Sequence, residues 1–468
     1  MAITRRQFIT RTGLATAGTL LGPNLFTNPF VRQAMADTIG NRYLVVVFLD
    51  GGNDGLNTVT PYSSGALRTA YDGYRTNINL SQGALGGTRI GNDPQTGTQL
   101  ALHPGFSGLK ALYDLGKVAV VQGCGYPDYN LSHEESRAIW QTANPLGFSP
   151  YSGTGWVGRH LAGQYAGNQV PGVCISNNVA PEFRQTGTSV LAINELENFG
   201  FPYDDFGGNS ERNRKRTAFN ALYAEAAAEA QPIRGYLGDT GLATLLSSES
   251  YPQAHDLWVT NRSQAVQDAY EQVDRSVSRD FREISKIIYA NENALPGVNA
   301  HFFRVSNGGY DTHSDQGAGE PDGQHYGLHK ELGDSLKVFY DDLVDMGVAS
   351  RVCVVTWSEF SRRIPQNDNG TDHGSQGPMF VIGGSVVGGV YGRHPDIFNL
   401  DDDENSPYKQ GPGSTAHRST DFRDVYGTIL KHFVNMTPAN ILANVLPIDG
   451  GDPAKYWTSA NFDLGFLP

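Results

Sequence analysis

Asp50, Asp311, His313, Glu359 and His373 are the residues of this chain best placed to do chemistry, because each lies at or soon after the end of a short apolar run. In YLVVVFLDGGNDGLN, residues 43–57, Asp50 follows the apolar stretch Leu44–Leu49 and opens a glycine-rich loop. Asp311 and His313 follow His301-Phe302-Phe303-Arg304-Val305 in another glycine-rich loop, and Glu359 follows the run Arg351–Trp357. His373 stands beside Asp372 in Asn369-Gly370-Thr371-Asp372-His373-Gly374. In open α/β sheets, ligands bind beyond the carboxyl ends of the strands. One acid there is ordinary, since Asp also opens turns. Several acids at one edge leave like charges close together, which is costly unless a cation or a proton compensates. Carboxylate and imidazole at i, i+2 in an extended loop reach the same side, and that mixed donor set suits Zn, Mn or Fe.

Ser132 is a hydroxyl in a comparable setting. It follows the apolar run Lys117–Gly123, and Glu135 lies three residues on, which is the spacing of a capping box. Asn130 is the other N-cap candidate. A serine at a helix N-terminus sits in the field of the helix dipole, which favours an alkoxide or a bound phosphate, and that suits a nucleophile. Capping by itself is an equally complete account. His325 and His329 are four apart and share a helix face, but we leave them out of the expected ligand set.

The elements that must position these residues are legible as alternating patterns. The runs at 44–49, 117–123, 170–176, 301–305, 351–357 and 378–383 read as buried strands of a parallel sheet. Amphipathic helices are expected at about 105–115, 132–142, 326–346 and 418–435, with another beginning near Gly155. Residues 61–100 are polar and glycine-rich and read as a long surface excursion. Residues 195–295 carry long helical patterns, 213–230 and about 251–290, without a buried-strand run, and read as a helical insertion.

Thr4-Arg5-Arg6-Gln7-Phe8-Ile9, a mild apolar region Gly13–Gly22 and Ala34-Met35-Ala36 make a twin-arginine export signal over 1–36 with a small-residue cleavage site. The apolar region is too short to span a membrane. The expected mature chain, 37–468, is a periplasmic or secreted protein handled by the twin-arginine translocation machinery, without a transmembrane anchor after cleavage. The leader holds four arginines and no acid, so its removal moves the formal charge from -13 to -17. That charge argues against nucleic acid as a partner. Cys124, Cys174 and Cys353 lie in or beside apolar runs and read as buried thiols.

The segments LVVVFLDGGNDGLNTVTPY, HPGF, NLSHEESRAIWQTA, GWVGRHL, GGYDTHSDQ, VVTWSEFSRR and GTDHGSQGPMFVIGG resemble the exported bacterial proteins of domain-of-unknown-function family 1501. The order of their acids resembles the alkaline phosphatase superfamily, which includes sulfatases. The resemblance implies an alkaline phosphatase-like α/β fold, a largely parallel sheet sandwiched by helices, with Ser132 as nucleophile and Asp50 on the metal nearest it. It places Asp311 and His373 on a second metal and Glu359 where the superfamily has an Asp. The chain departs from that pattern: Phe360 follows Glu359 where His is common, and Asp315 stands where a His is common. His313 can substitute. The sulfatase Cys-x-Pro-x-Arg signature is absent around Ser132, so formylglycine chemistry is not expected. The resulting expectation is an exported hydrolase of phosphate or sulfate esters using a divalent metal (Zn, Mn, Fe or Ca), with Asn53, His133 and Arg159 as candidate oxyanion binders. Arg159 suits a structural ion pair equally well. The alternative is a non-catalytic exported binding or assembly protein that keeps the fold.

Overall fold

The computed structural model describes residues 41–144, 153–162, 165, 170–201, 208–273, 275–401, 415–446 and 461–468. The expected export signal lies outside the described residues. The central sheet has nine strands: β1 Tyr43–Asp50, β2 Val118–Gly125, β3 Gly172–Cys174, β4 Val190–Ala192, β5 Phe302–Gly308, β6 Val352–Trp357, β7 Gly377–Gly383, β8 Gly389–Tyr391 and β9 Thr420–Asp421. Their order is β8-β2-β7-β6-β1-β5-β3-β4, with β9 also on β2. Only β7 runs against the rest, pairing antiparallel with both β2 and β6. The mixed α/β class with a mostly parallel sheet flanked by helices is therefore as the apolar runs predict.

β1 is buried on both faces because successive side chains alternate between them. Tyr43, Val45, Val47 and Leu49 enter one apolar cluster, and Leu44, Val46 and Phe48 enter the other. The first cluster is completed by helices α1 (Ser107–Asp114), α7 (Ser276–Glu292) and α8 (Gln324–Asp345), through residues such as Leu109, Phe281 and Leu336. The second is completed by α2 (His133–Thr142), α3 (Trp156–Ala162) and α9 (Phe422–Thr428), through Trp140, Trp156 and Tyr426. The parallel registers Leu44↔Phe302 and Tyr43↔Val352 bring the ends of β1, β5 and β6 to one edge.

Two stretches differ from the sequence expectation. Residues 61–100 are a packed unit: a three-stranded sheet with a helix at Ala66–Tyr74. Buried Tyr71, Leu80 and Leu85 hold it, and fully buried Arg75 pairs with Asp54 at 2.5 Å. The expected long helix at 251–290 is split among α5 (Pro232–Asn261), α6 (Gln264–Val273) and α7, and α4 (Gly208–Ala227) precedes them. Among the described residues no helix is long and apolar enough to cross a membrane.

Candidate metal centre

The strand ends are held together by two glycines and an arginine. Gly51 (φ +125°) and Gly52 (φ +79°) turn the chain after β1 in conformations that side chains rarely adopt. A Cβ on Gly51 would lie 2.3 Å from the Asp311 amide nitrogen, and one on Gly52 would lie 2.2 Å from the Phe360 ring. Buried Arg362 donates to the carbonyls of Gly51, Gly52 (2.6 Å), Tyr310 (3.0 Å) and Thr371 (2.9 Å), and to Asp311 Oδ1 (2.5 Å). Arg362 also pairs in antiparallel register with His373 in a short ladder. One guanidinium thus ties three loops.

These contacts gather His133, Asp311, His313 and His373. His133 Nδ1 faces Glu359 Oε1 at 2.7 Å, His313 Nδ1 faces Asp372 Oδ1 at 3.1 Å, and His373 Nδ1 faces the Leu131 carbonyl at 2.8 Å. Each Nδ1 faces an acceptor, so a ring that carries its single proton there presents an Nε2 that can ligate. The three Nε2 atoms lie 3.4, 3.1 and 3.2 Å from Asp311 carboxylate oxygens, and those of His313 and His373 are 3.0 Å apart. Lone pairs facing at that distance need a cation or a proton between them. A tetrahedral ion with nitrogen and oxygen ligands at 2.0–2.1 Å puts neighbouring ligand atoms about 3.3 Å apart. His133, Asp311 and His373 have ligand atoms within 4.8 Å of one another, and His313 lies beside this group but not in it. The donor set fits a divalent metal, with Glu359, Asp372 and the Leu131 carbonyl orienting the rings.

Burial works to raise the Asp311 carboxyl, but Arg362, with help from His373 and His313, overrides it and holds the group at about 2. His373 is shifted down, chiefly by burial, which keeps it in the neutral form that binds metal. Asp311 and His313 are about half exposed, so the centre opens to solvent.

Asp50 and Glu359 are brought to the same edge but face Arg137. The guanidinium makes a short contact with Asp50 and reaches Glu359 Oε1 from Nε at 3.3 Å. Glu359 is fully buried and also accepts from Gly51 N at 3.1 Å. The Asp50 carboxyl is raised, first by burial and then by Glu359, with Arg137 opposing. Ser132 holds the N-cap position of α2 without a side-chain capping bond, and the expected capping box is not formed: Asn130 Oδ1 accepts from Ser132 N at 2.7 Å, and Asn130 Nδ2 donates to Glu135. The Ser132 hydroxyl is left available beside His133.

The structure does not bring the other two candidates to the centre. Arg159 donates to the carbonyls of Thr142 (2.6 Å), Val445 (2.6 Å) and Thr154, tying α3 to its neighbours. Asn53 is buried, and its Oδ1 faces His325 Nε2 at 3.1 Å. Arg137 and Arg362 were not singled out from sequence. His325 and His329 lie with His103 in a separate, fully buried group whose ring centroids are 4.0–5.0 Å apart. Phe106 stacks on His329 at 4.1 Å. His103 Nε2, His325 Nδ1 and His329 Nδ1 have no hydrogen-bond partner, and burial shifts all three rings down, His325 to about 4.

No curated protein matches the sequence. Among solved structures, the lipoteichoic acid synthase LtaP from Listeria monocytogenes is 10% identical and aligns over 90% of this chain and 79% of its own, with a TM-score of 0.26. The PsFucS1 sulfatase from Pseudoalteromonas sp. is 10% identical over 91% of this chain and 77% of its own, with a TM-score of 0.28. Residues 41–407, which contain every residue of the centre, match the family described as "Protein of unknown function (DUF1501)", and the chain belongs to that family.

Proposed function

We propose that this chain is an exported, metal-dependent hydrolase of phosphate or sulfate esters. The observation that supports it most is the convergence of three Nε2 atoms on Asp311, 3.1–3.4 Å away. His133, His373 and Asp311 would hold the ion, with His313 beside them. A divalent metal there supplies positive charge to an ester oxyanion and lowers the pKa of a nearby hydroxyl. The chain's own residues do the rest. Ser132 Oγ forms the bond to phosphorus or sulfur as the bond to the leaving alcohol breaks, and water then releases the serine. Glu359 and the Leu131 carbonyl hold His133 and His373 in the ligating tautomer. Arg362 keeps Asp311 ionised. Export rests on the twin-arginine segment and the Ala34-Met35-Ala36 site.

The test is elemental mass spectrometry on mature protein exported through its own signal, beside Asp311→Ala/His373→Ala. Stoichiometric Zn, Mn or Fe that vanishes in the variant, with aryl-ester turnover lost in Ser132→Ala, supports the hydrolase. A wild type without bound metal overturns it. A second reading, a metal-holding protein that binds or assembles without turnover, draws on one observation: the Phe360 ring lies 4.8 and 4.5 Å from the rings of His133 and His373, covering the side where another ligand would stand. Bound metal with no ester turnover would favour it.

A further inference from the structure

Asp50 and Glu359 lie at the ends of adjacent strands, β1 and β6, close enough that one cation compensates both. The structure contains such a cation. Arg137 sits on α2 one turn after His133, so the same helix face delivers the imidazole to Glu359 and Asp311 and the guanidinium to Glu359 and Asp50. The guanidinium also lies over the Phe48 ring at 5.6 Å, which fixes its plane. On buried Glu359, Oε1 already faces Gly51 N (3.1 Å), His133 Nδ1 (2.7 Å) and Arg137 Nε (3.3 Å). A metal bound between the two acids would have to displace a permanently charged group that cannot leave by losing a proton.

We propose that Arg137 is a tethered cation standing in for a metal ion between Asp50 and Glu359, so that the centre takes one divalent ion, on His133, His373 and Asp311. This inference rests on the metal-centre reading above for the ion it retains, but the role of Arg137 is separately measurable. Arg137 is a positioning residue: it holds Glu359 against His133 and thereby aims one ligand.

Mature protein would be saturated with Mn²⁺ or Zn²⁺, freed of loose metal and assayed for metal per chain. Wild type and Asp50→Asn are expected to carry the same single ion. Arg137→Ala is expected to gain one ion over wild type, Arg137→Lys to gain none, and Arg137→Ala/Asp50→Asn to lose the gain. Loss of an ion in Asp50→Asn, or a folded Arg137→Ala at the wild-type count, would overturn the proposal. If Arg137→Ala does not fold, the comparison of wild type with Asp50→Asn decides: equal counts of one support the tethered cation, and a drop sinks it. A wild type holding no ion would instead end the metal-centre reading, and the difference between Arg137→Ala and wild type would still read the cation's role.

Discussion

His133, His313 and His373 surround a carboxylate at the edge of the sheet, whereas His103, His325 and His329 pack on one another and against Phe106 in the core. The residue type and number are the same, so the difference lies in what each ring faces. In the outer group an acceptor holds every Nδ1 and an ionised Asp311 faces every Nε2. In the inner group no carboxylate touches a ring, and one nitrogen of each ring has no partner. The inner imidazoles act as neutral flat packing surfaces, and the outer ones as aimed donors. Clustered histidine alone does not make a metal site; ligating rings are also oriented by an acceptor on the other nitrogen.

Four measurements would break or sharpen that contrast. The largest effect is expected in the inner group. Phe106→Ala removes the ring stacked on His329 and should cost about 3–5 kcal/mol of stability, read by urea unfolding, while leaving metal content unchanged. Acid should come next. An unfolded histidine titrates near 6.5 and folded His325 at about 4. Between those values the unfolded chain takes up a proton that the folded chain refuses, so the His325 contribution to stability is lost as pH drops through that window. His325 alone accounts for about 3 kcal/mol, with His103 and His329 acting in the same direction. Urea midpoints across the window check this, and His325→Leu should flatten the slope. In the outer group, Asp372→Asn weakens the acceptor on His313 and should reduce metal affinity about 10-fold, by competition with a chelator, with little change in stability because the site is exposed. The smallest structural effect belongs to Ser132→Ala. Its hydroxyl caps nothing, so stability should stay within about 0.5 kcal/mol of wild type, while ester turnover falls by at least about 10³-fold.

The sheet was legible because a strand covered on both faces is apolar along its length, and 44–49 and 352–355 meet that demand. So was the gathering of Asp311, His313 and His373, since each follows a strand or its loop. The part played by Arg137 was not. It lies in an ordinary helical sequence, and its partners, Asp50 and Glu359, are 87 and 222 residues away. His133 was read as an oxyanion binder and not as a ring aimed at Asp311, because that aim depends on distant Glu359 and Asp311. The packing of 61–100 was hidden by its many glycines, between which single residues such as Tyr71 and Leu80 are buried. Helix breaks misled in the opposite sense: Pro252 lies inside α5, while α5 ends at Asn261 without proline or glycine nearby.

The register of β1 carries a consequence for synthesis. Its hydrogen-bonding neighbours are Phe302–Gly308 on one side and Val352–Trp357 on the other. At roughly 5–20 residues per second, a ribosome makes the first of those partners roughly 10–50 s after β1 itself. Throughout that interval YLVVVFLD is a bare, sticky ribbon. The first pairing of β1 waits until about two thirds of the chain exists, and the centre at that edge of the sheet can assemble only afterwards.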